Sequence, residues 1–242
     1  MTLAKRIAAV AALAAVVALG CTARADQTTD KLKATLQARL PEVEIKSIAK
    51  APIPGLYEVN LGSQMLYSDA TGDYVIAGDL VDTKTRSNLS EAHLADLNKV
   101  DFASLPLDRA VKVVKGNGSR RMAVFSDPNC PYCKQLETTL KSIDNVTVYT
   151  FLYPVLSPDS VTKSKAIWCS TDRAKAWEAW MVDHRPPAST ASNCDTTVLD
   201  KNLALGHGLN VTGTPTIILA DGRRLPGAVS ADELNGALAR AH

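Results

Sequence analysis

The sequence predicts two tandem bodies: a small α+β unit, then a connecting helix, then a larger α/β domain that carries a helical insertion. Three observations predict this. A buried-looking run, Met122-Ala123-Val124-Phe125, breaks at Asp127-Pro128-Asn129 and enters a helical pattern that opens with Cys130-Pro131-Tyr132-Cys133. Near the end of the chain, Gly213-Thr214-Pro215 leads directly into a second apolar run, Thr216–Leu219. Ahead of both, residues 26–86 show one helical stretch followed by short strand-like pieces between turn signals. With 46% hydrophobic residues, a packed core is within reach.

Residues 1–25 read as a signal peptide. Lys5-Arg6 form a basic start, and Ile7 to Leu19 an apolar stretch too short to span a bilayer, which takes about 20 residues. Ala23-Arg24-Ala25 fits the small-x-small cleavage pattern, so the mature chain is expected to begin at Asp26. Lipidation at Cys21 is the competing reading, although Leu19 sits one place from where that signal usually carries its leucine. The short apolar core looks bacterial, which makes the expected compartment the periplasm. Cleavage leaves four of the five cysteines, an even number where disulfides persist. The 27 basic residues less Lys5, Arg6 and Arg24 leave 24 against 25 acidic ones, a net charge of −1. Nothing in that balance points to nucleic acid.

Within 26–86, Thr29-Asp30 is placed to cap a helix bearing Leu32, Leu36 and Leu40, which Pro41 stops. Strands are expected at Val43–Ile48, Tyr57–Leu61, Met65–Ser68 and Tyr74–Leu80. A module of about 60 residues buries too little surface to be robust alone. Tyr74–Leu80 could pair with its copy across a two-fold axis, or the sheet could pack on the rest of its own chain. Residues 87–104 read as a linker helix, with Asn88 and Glu91 as caps and Leu94 and Leu97 on a narrow apolar stripe. That stripe favours a rigid spacer over docking on the following domain.

The catalytic domain is expected at 105–242. Asp108 to Lys115 is a helix turn or short strand, and Gly116-Asn117-Gly118 a turn. After the dithiol helix comes a β-rich run, Val146–Tyr153, and then a helical region, 159–185, whose Trp168, Trp177 and Trp180 serve packing. Asp221-Gly222 marks a hairpin with Arg223–Leu225 as return strand, and Ser230 with Glu233 a capping box for a last helix bearing Leu234 and Leu238.

The chemistry concentrates at Cys130 and Cys133. A thiol at the mouth of a helix meets free backbone N–H groups and the positive end of the helix dipole, which favour the thiolate. A second thiol one turn deeper is shielded and close enough to resolve a mixed disulfide. The bland alternatives are half of a zinc site or an inert disulfide. Zinc would need two more ligands; Cys169 and Cys194 are 25 positions apart, and no histidine has a neighbour at ligand spacing. No metal or organic cofactor is expected. Cys169 and Cys194 read as a structural disulfide, with a second redox pair as the alternative. The Pro215 position allows simple strand entry or a cis Thr214–Pro215 bond that frees Thr214 backbone groups to pair with an extended substrate.

The order strand, C-x-x-C helix, helices, Thr-Pro before a strand, hairpin and terminal helix is thioredoxin-like. Phe125-Ser126-Asp127-Pro128-Asn129-Cys130-Pro131-Tyr132-Cys133, Ile167-Trp168-Cys169, Ser192-Asn193-Cys194-Asp195 and Gly213-Thr214-Pro215 resemble the DsbC family of periplasmic protein disulfide isomerases over essentially the whole chain. The resemblance implies Cys130 as attacking thiolate and Cys133 as resolving thiol. Pro131, Tyr132, Thr214 and a cis Pro215 would face the substrate. It also implies an N-terminal dimerisation domain, and a V-shaped homodimer whose cleft holds misfolded disulfide-containing secreted proteins as a chaperone. A membrane thiol reductase of the DsbD type would keep the site reduced. Pro131 departs from the glycine of the best-studied isomerases; the related DsbG also has Pro-Tyr there, while the Cys169/Cys194 pair speaks for DsbC. A DsbG-like reductase, a dithiol oxidase and a non-catalytic holdase stay open as alternatives.

Overall fold

The computed structural model of the chain describes residues 20–187 and 193–241, with the backbone alone for 20–26 and 226. Residues 1–19 of the expected signal peptide, the Cys21 side chain and Ser192 lie outside that description. The chain divides into two compact units at Leu97/Asn98.

The first unit lays helix α1 (Gly20–Arg39) on a four-stranded antiparallel sheet ordered β1 (Ser47–Lys50), β2 (Leu56–Asn60), β3 (Met65–Asp69), β4 (Val75–Ala77). Leu32 and Leu36, one turn apart, bury their side chains against Ile45, Tyr57 and Val59. The helix is already running at Thr29-Asp30, so the expected cap there is not formed. β1 starts four residues later than Val43, because the helix side chain of Gln37 takes over the backbone of 43–45. Its Nε2 donates to the Val43 carbonyl (2.7 Å), and its Oε1 accepts the Ile45 N–H (3.1 Å). β4 pairs with β3 alone among the described strands and leaves Tyr74, Val75 and Ile76 exposed.

The segment read as one linker helix is three pieces. Strands β5 (Val81–Asp82) and β6 (Ser87–Asn88) form a small hairpin, and the helix α2 covers only Leu89–Leu97, with Asn88 Oδ1 accepting the Glu91 N–H at 3.0 Å. α2 belongs to the first unit: its buried Ser90 hydroxyl meets the Tyr67 hydroxyl and accepts the Leu80 N–H (2.7 Å). Beyond it, Asp101 caps a 3-10 turn at Phe102–Ser104, Pro106 precedes a second at Leu107–Arg109, and Val100, Phe102 and Leu105 are buried in the second unit.

The second unit is a five-stranded sheet. Its order is β11 (Arg224–Pro226), β10 (Thr216–Leu219), β8 (Arg120–Ser126), β9 (Val146–Leu152), β7 (Val111–Lys115). β8 and β9 are parallel and joined through helix α3 (Pro131–Leu140); the other pairs are antiparallel. β8 is buried on both faces, which is why its sequence reads as a continuous apolar run. Met122 and Val124 face α3 and the last helix, α7 (Ala231–Arg240), while Ala123 and Phe125 face Phe102, Phe151 and Tyr153. The helical region is two helices, α4 (Pro158–Trp168) and α5 (Arg173–Met181), separated because Asp172 caps the second one. A further helix, α6 (Thr197–Gly208), follows. These three surround the two thiols with Ile167, Trp177, Met181 and Leu199.

Gly222 in the β10–β11 turn has a φ of +85°, and a Cβ there would lie 2.3 Å from the Val100 carbonyl oxygen. Its own carbonyl accepts the Val100 N–H at 3.0 Å. Gly222→Ala is therefore expected to lower stability by about 1–3 kcal/mol in denaturant unfolding, through both backbone strain and overpacking. A change below about 0.5 kcal/mol would contradict this packing.

Candidate active site

Cys130 occupies the N-cap of α3 in extended conformation, with Pro131 at the first helical position, where a missing N–H costs nothing. The loop that delivers it is built on Asp127. This fully buried carboxylate accepts the Asn129 N–H through Oδ1 (2.8 Å) and the Val155 and Leu156 N–H groups through Oδ2 (2.8 and 2.9 Å). The Asp127 carbonyl accepts the Cys130 N–H at 3.1 Å. From the other side, Trp180 Nε1–H donates to the Pro128 carbonyl (2.6 Å), its ring lying 4.3 Å from Lys134 Nζ and 4.6 Å from Lys163 Nζ. Trp180, expected to serve packing, thus also fastens the loop.

β10 runs antiparallel to β8 with Thr216 opposite Phe125, so the residues before Thr216 overrun the end of β8 and meet the loop. The Thr214–Pro215 bond is cis. Cys130 Sγ–H donates to the Thr214 carbonyl at 3.3 Å. The structure therefore brings Cys130, Pro131, Thr214 and Pro215 together at one end of the sheet, with Tyr132 largely exposed beside them.

Cys133 points inward and has no solvent exposure. Burial pushes its thiol up to about 12, against the Ser126 side chain and an Asp127 backbone hydrogen bond, which favour the thiolate; Cys130 adds a smaller upward push. At neutral pH it is a protonated thiol. Cys130 and Cys133 are both in the free form, and both are buried. Cys169 and Cys194 form a disulfide with Cα atoms 5.8 Å apart, tying the end of α4 to the entry of α6. Trp168 Nε1–H reinforces that junction by donating to the Asp195 carbonyl at 3.2 Å. Among the described residues no group of three or more His, Cys, Asp or Glu is placed to hold a metal ion.

One turn beyond Cys133, the half-buried Glu137 carboxyl lies against Trp177, whose Nε1–H donates to Oε1 at 2.8 Å. Burial raises its pKa to about 7, while the Trp177 hydrogen bond and Lys115 pull it down and Glu178 pushes it up. An acid whose native pKa lies above its unfolded value, here 4.5, binds its proton longer in the folded state. Its contribution to stability is then lost as pH rises from about 4.5 to about 7, and is level beyond. Glu137→Gln, which keeps an oxygen for Trp177, should flatten that slope. At pH 8 it is expected to be the more stable form by up to about 3 kcal/mol in denaturant titrations, with little difference near pH 4.5. A parent-like slope in the variant would contradict the assignment.

Asp127 and Glu137 carry no motif of their own. The partners that define Asp127 lie 28 and 29 residues along the chain, in the loop after β9.

Comparison with known proteins covers both units. Residues 23–91 match the disulfide bond isomerase protein N-terminal domain, and residues 107–242 a thioredoxin-like domain. The probable thiol:disulfide interchange protein DsbC of Bordetella pertussis is 48% identical over 214 residues, 88% of this chain and 75% of that one. The thiol:disulfide interchange protein DsbC of Escherichia coli is 30% identical over 202 residues, 80% and 82% of the two chains. The crystal structure of a disulfide interchange protein from Neisseria gonorrhoeae aligns with a TM-score of 0.54 at 38% identity, covering 57% of this chain and 98% of that one. Thiol:disulfide interchange is the activity that the names of these relatives carry. Matched in both of its units, and over most of its length by curated relatives, the chain belongs to the DsbC family of thiol:disulfide interchange proteins.

Proposed function

We propose that the protein is a periplasmic protein disulfide isomerase and reductase with Cys130 as its attacking thiolate and Cys133 as its resolving thiol. The observation that carries this reading is the difference in depth of the pair: Cys130, itself buried, has its sulfur at the helix mouth against Thr214, and Cys133 lies one turn deeper with its thiol protonated. The Cys130 thiolate attacks one sulfur of a wrong substrate disulfide, forming a mixed disulfide and releasing the other substrate sulfur as thiolate. A substrate thiolate then attacks the substrate sulfur of that bond and expels Cys130 unchanged, so shuffling is redox-neutral. Where the substrate stalls, Cys133 gives up its proton and attacks Cys130 Sγ. The substrate leaves reduced by two electrons, with the enzyme pair oxidised, and a membrane thiol reductase of the DsbD type restores the dithiol. Cys169–Cys194 serves as a structural crosslink.

The first unit serves as a dimerisation module, with the free edge of β4 and its exposed Tyr74, Val75 and Ile76 as the surface a second copy would cover. The paired modules would form a cleft that holds misfolded chains and gives chaperone activity. Residues 1–25 act as a cleaved signal peptide, which puts the sites in a compartment where substrate disulfides exist.

The test uses a scrambled disulfide protein as substrate. The parent is expected to restore native pairing, and Cys133→Ala to accumulate covalent adducts through Cys130. Absence of both shuffling and adducts would overturn the proposal. Pro131 favours one second reading, a DsbG-like reductase or a dithiol oxidase. That reading gains if the oxidised protein hands its disulfide to a reduced chain faster than the reduced protein shuffles.

A further inference from the structure

Four large apolar side chains are exposed among the described residues of the second unit: Val114, Tyr132, Val155 and Leu156. Three of them sit on segments tied to the dithiol: Tyr132 lies between the two cysteines in sequence, and Val155 and Leu156 lie on the loop hydrogen-bonded to Asp127. Tyr132 (62% exposed) stands at the second position of α3, two residues from Cys130. Val155 (44%) and Leu156 (55%) stand in the loop between β9 and α4.

This loop is bound to the Cys130 loop at several points. Asp127 Oδ2 accepts the N–H groups of both Val155 and Leu156, and its carbonyl accepts that of Cys130. Two residues back, the Tyr153 N–H donates to the Ser126 carbonyl at 2.9 Å. Asn129 Nδ2 completes the junction, reaching Ser157 Oγ (3.3 Å) and Asp159 Oδ2 (2.7 Å). With their backbone N–H groups turned in to a buried carboxylate, Val155 and Leu156 hold an apolar surface in water while the loop beneath them is fixed. The charges at its border are already engaged: Asp159 with Lys163 and Asn129, and Lys134 and Lys163 on the Trp180 ring.

We infer that Val155 and Leu156, with Tyr132, form an apolar docking platform that selects substrates by a large aliphatic or aromatic residue next to the cysteine under attack. The occupant is an extended segment of an unfolded polypeptide. Asp127 joins the loop of Val155 and Leu156 to the loop of Cys130, so a chain that presents a cysteine to Cys130 would offer its neighbouring side chain to Val155 and Leu156. Cysteine is among the most buried residue types, so in misfolded chains its neighbours are commonly core residues exposed out of place. An uncharged, apolar seat beside Cys130 suits them, and a surface fixed through Asp127 binds at less ordering cost than a loose loop.

The inference rests on Cys130 as the attacking thiol, and the experiment keeps the two apart. In full-length Cys133→Ala protein, rates of mixed-disulfide formation are measured with glutathione disulfide and with two short peptides, each as its disulfide. The peptides differ at one residue beside the cysteine, leucine in one and serine in the other. The expected result is a preference for the leucine peptide of about tenfold, the discrimination a single apolar contact usually supports. Adding Val155→Ser and Leu156→Ser should reduce this ratio to within about twofold, whereas Val114→Ser, equally exposed on β7, should leave it as it was. A ratio near one before any change at the platform, or a ratio that survives the double change, would overturn the platform. Failure of even glutathione disulfide to react at Cys130 would overturn the exchange reading beneath it. Because the readout is a ratio within each variant, it does not depend on equal specific activity.

Discussion

Replacing Cys130 with alanine is expected to reduce disulfide shuffling to the uncatalysed background while leaving the fold intact. The change removes one sulfur at a helix N-cap, and helix α3 keeps its first turn through Pro131 and its apolar face through Cys133, Leu136 and Leu140. Among the described side chains no other thiol can take over. Cys133 is sealed from solvent and protonated at neutral pH, and Cys169 and Cys194 are bonded to each other. Cys133→Ala should behave differently, reacting at Cys130 and then stalling as mixed disulfides. Assay of native disulfide recovery in a scrambled substrate, with adducts followed on non-reducing gels, separates the two. Shuffling by Cys130→Ala at more than a few per cent of the parent rate would contradict the assignment. Suppression of substrate aggregation by the same variant, undiminished, would place the chaperone activity away from the thiols.

Removing the Cys169–Cys194 bond should cost about 3–4 kcal/mol of stability. The two residues are 25 positions apart, and a loop of that length loses this much chain entropy in the denatured state when crosslinked. The closed loop contains α5, whose Trp177 and Met181 are buried in the same cluster as Cys130 and Cys133. The comparison is made in a background where Cys130 and Cys133 are alanine, so only one disulfide varies. Denaturant unfolding of Cys169→Ala/Cys194→Ala should then show the loss, and a difference under about 1 kcal/mol would show that the crosslink is structurally dispensable.

What the sequence makes legible here is what is encoded locally. Met122–Phe125, Asp127-Pro128-Asn129 and the spacing of Cys133, Leu136 and Leu140 define strand, break and helix within twenty residues, and the N-cap placement of Cys130 follows from them. Ser230 Oγ accepts the Glu233 N–H, which is the N-cap half of the expected capping box. Elements whose pattern is set by distant partners are not legible in this way. Helix α6 escapes notice because polar Asn202 and small Gly206 occupy its buried face. There Asn202 Nδ2 donates to the Leu152 carbonyl (3.4 Å), and a Cβ on Gly206 would lie 2.4 Å from the Tyr153 ring. The stretch at 87–104 looks like one helix because Leu94 and Leu97 keep helical spacing. Burial of Val100, Phe102 and Leu105 in the second unit ends the helix at Leu97. In the site itself the two sulfurs and the Thr214–Pro215 loop stand out by motif. The Asp127 clamp and the Trp180 fastening do not, since an aspartate or a tryptophan gains those roles only once β9, α4 and α5 are in place.

The most direct measurement is the redox state of Cys130 and Cys133 in living cells, read by trapping free thiols with an alkylating mass tag. Cys169 and Cys194 should stay protected throughout and serve as an internal reference. A pair found mostly reduced is the predicted result, because only a reduced Cys130 can open a wrong disulfide and a reductive supply must then exist. A pair found mostly oxidised would contradict the isomerase account and leave a disulfide donor in its place.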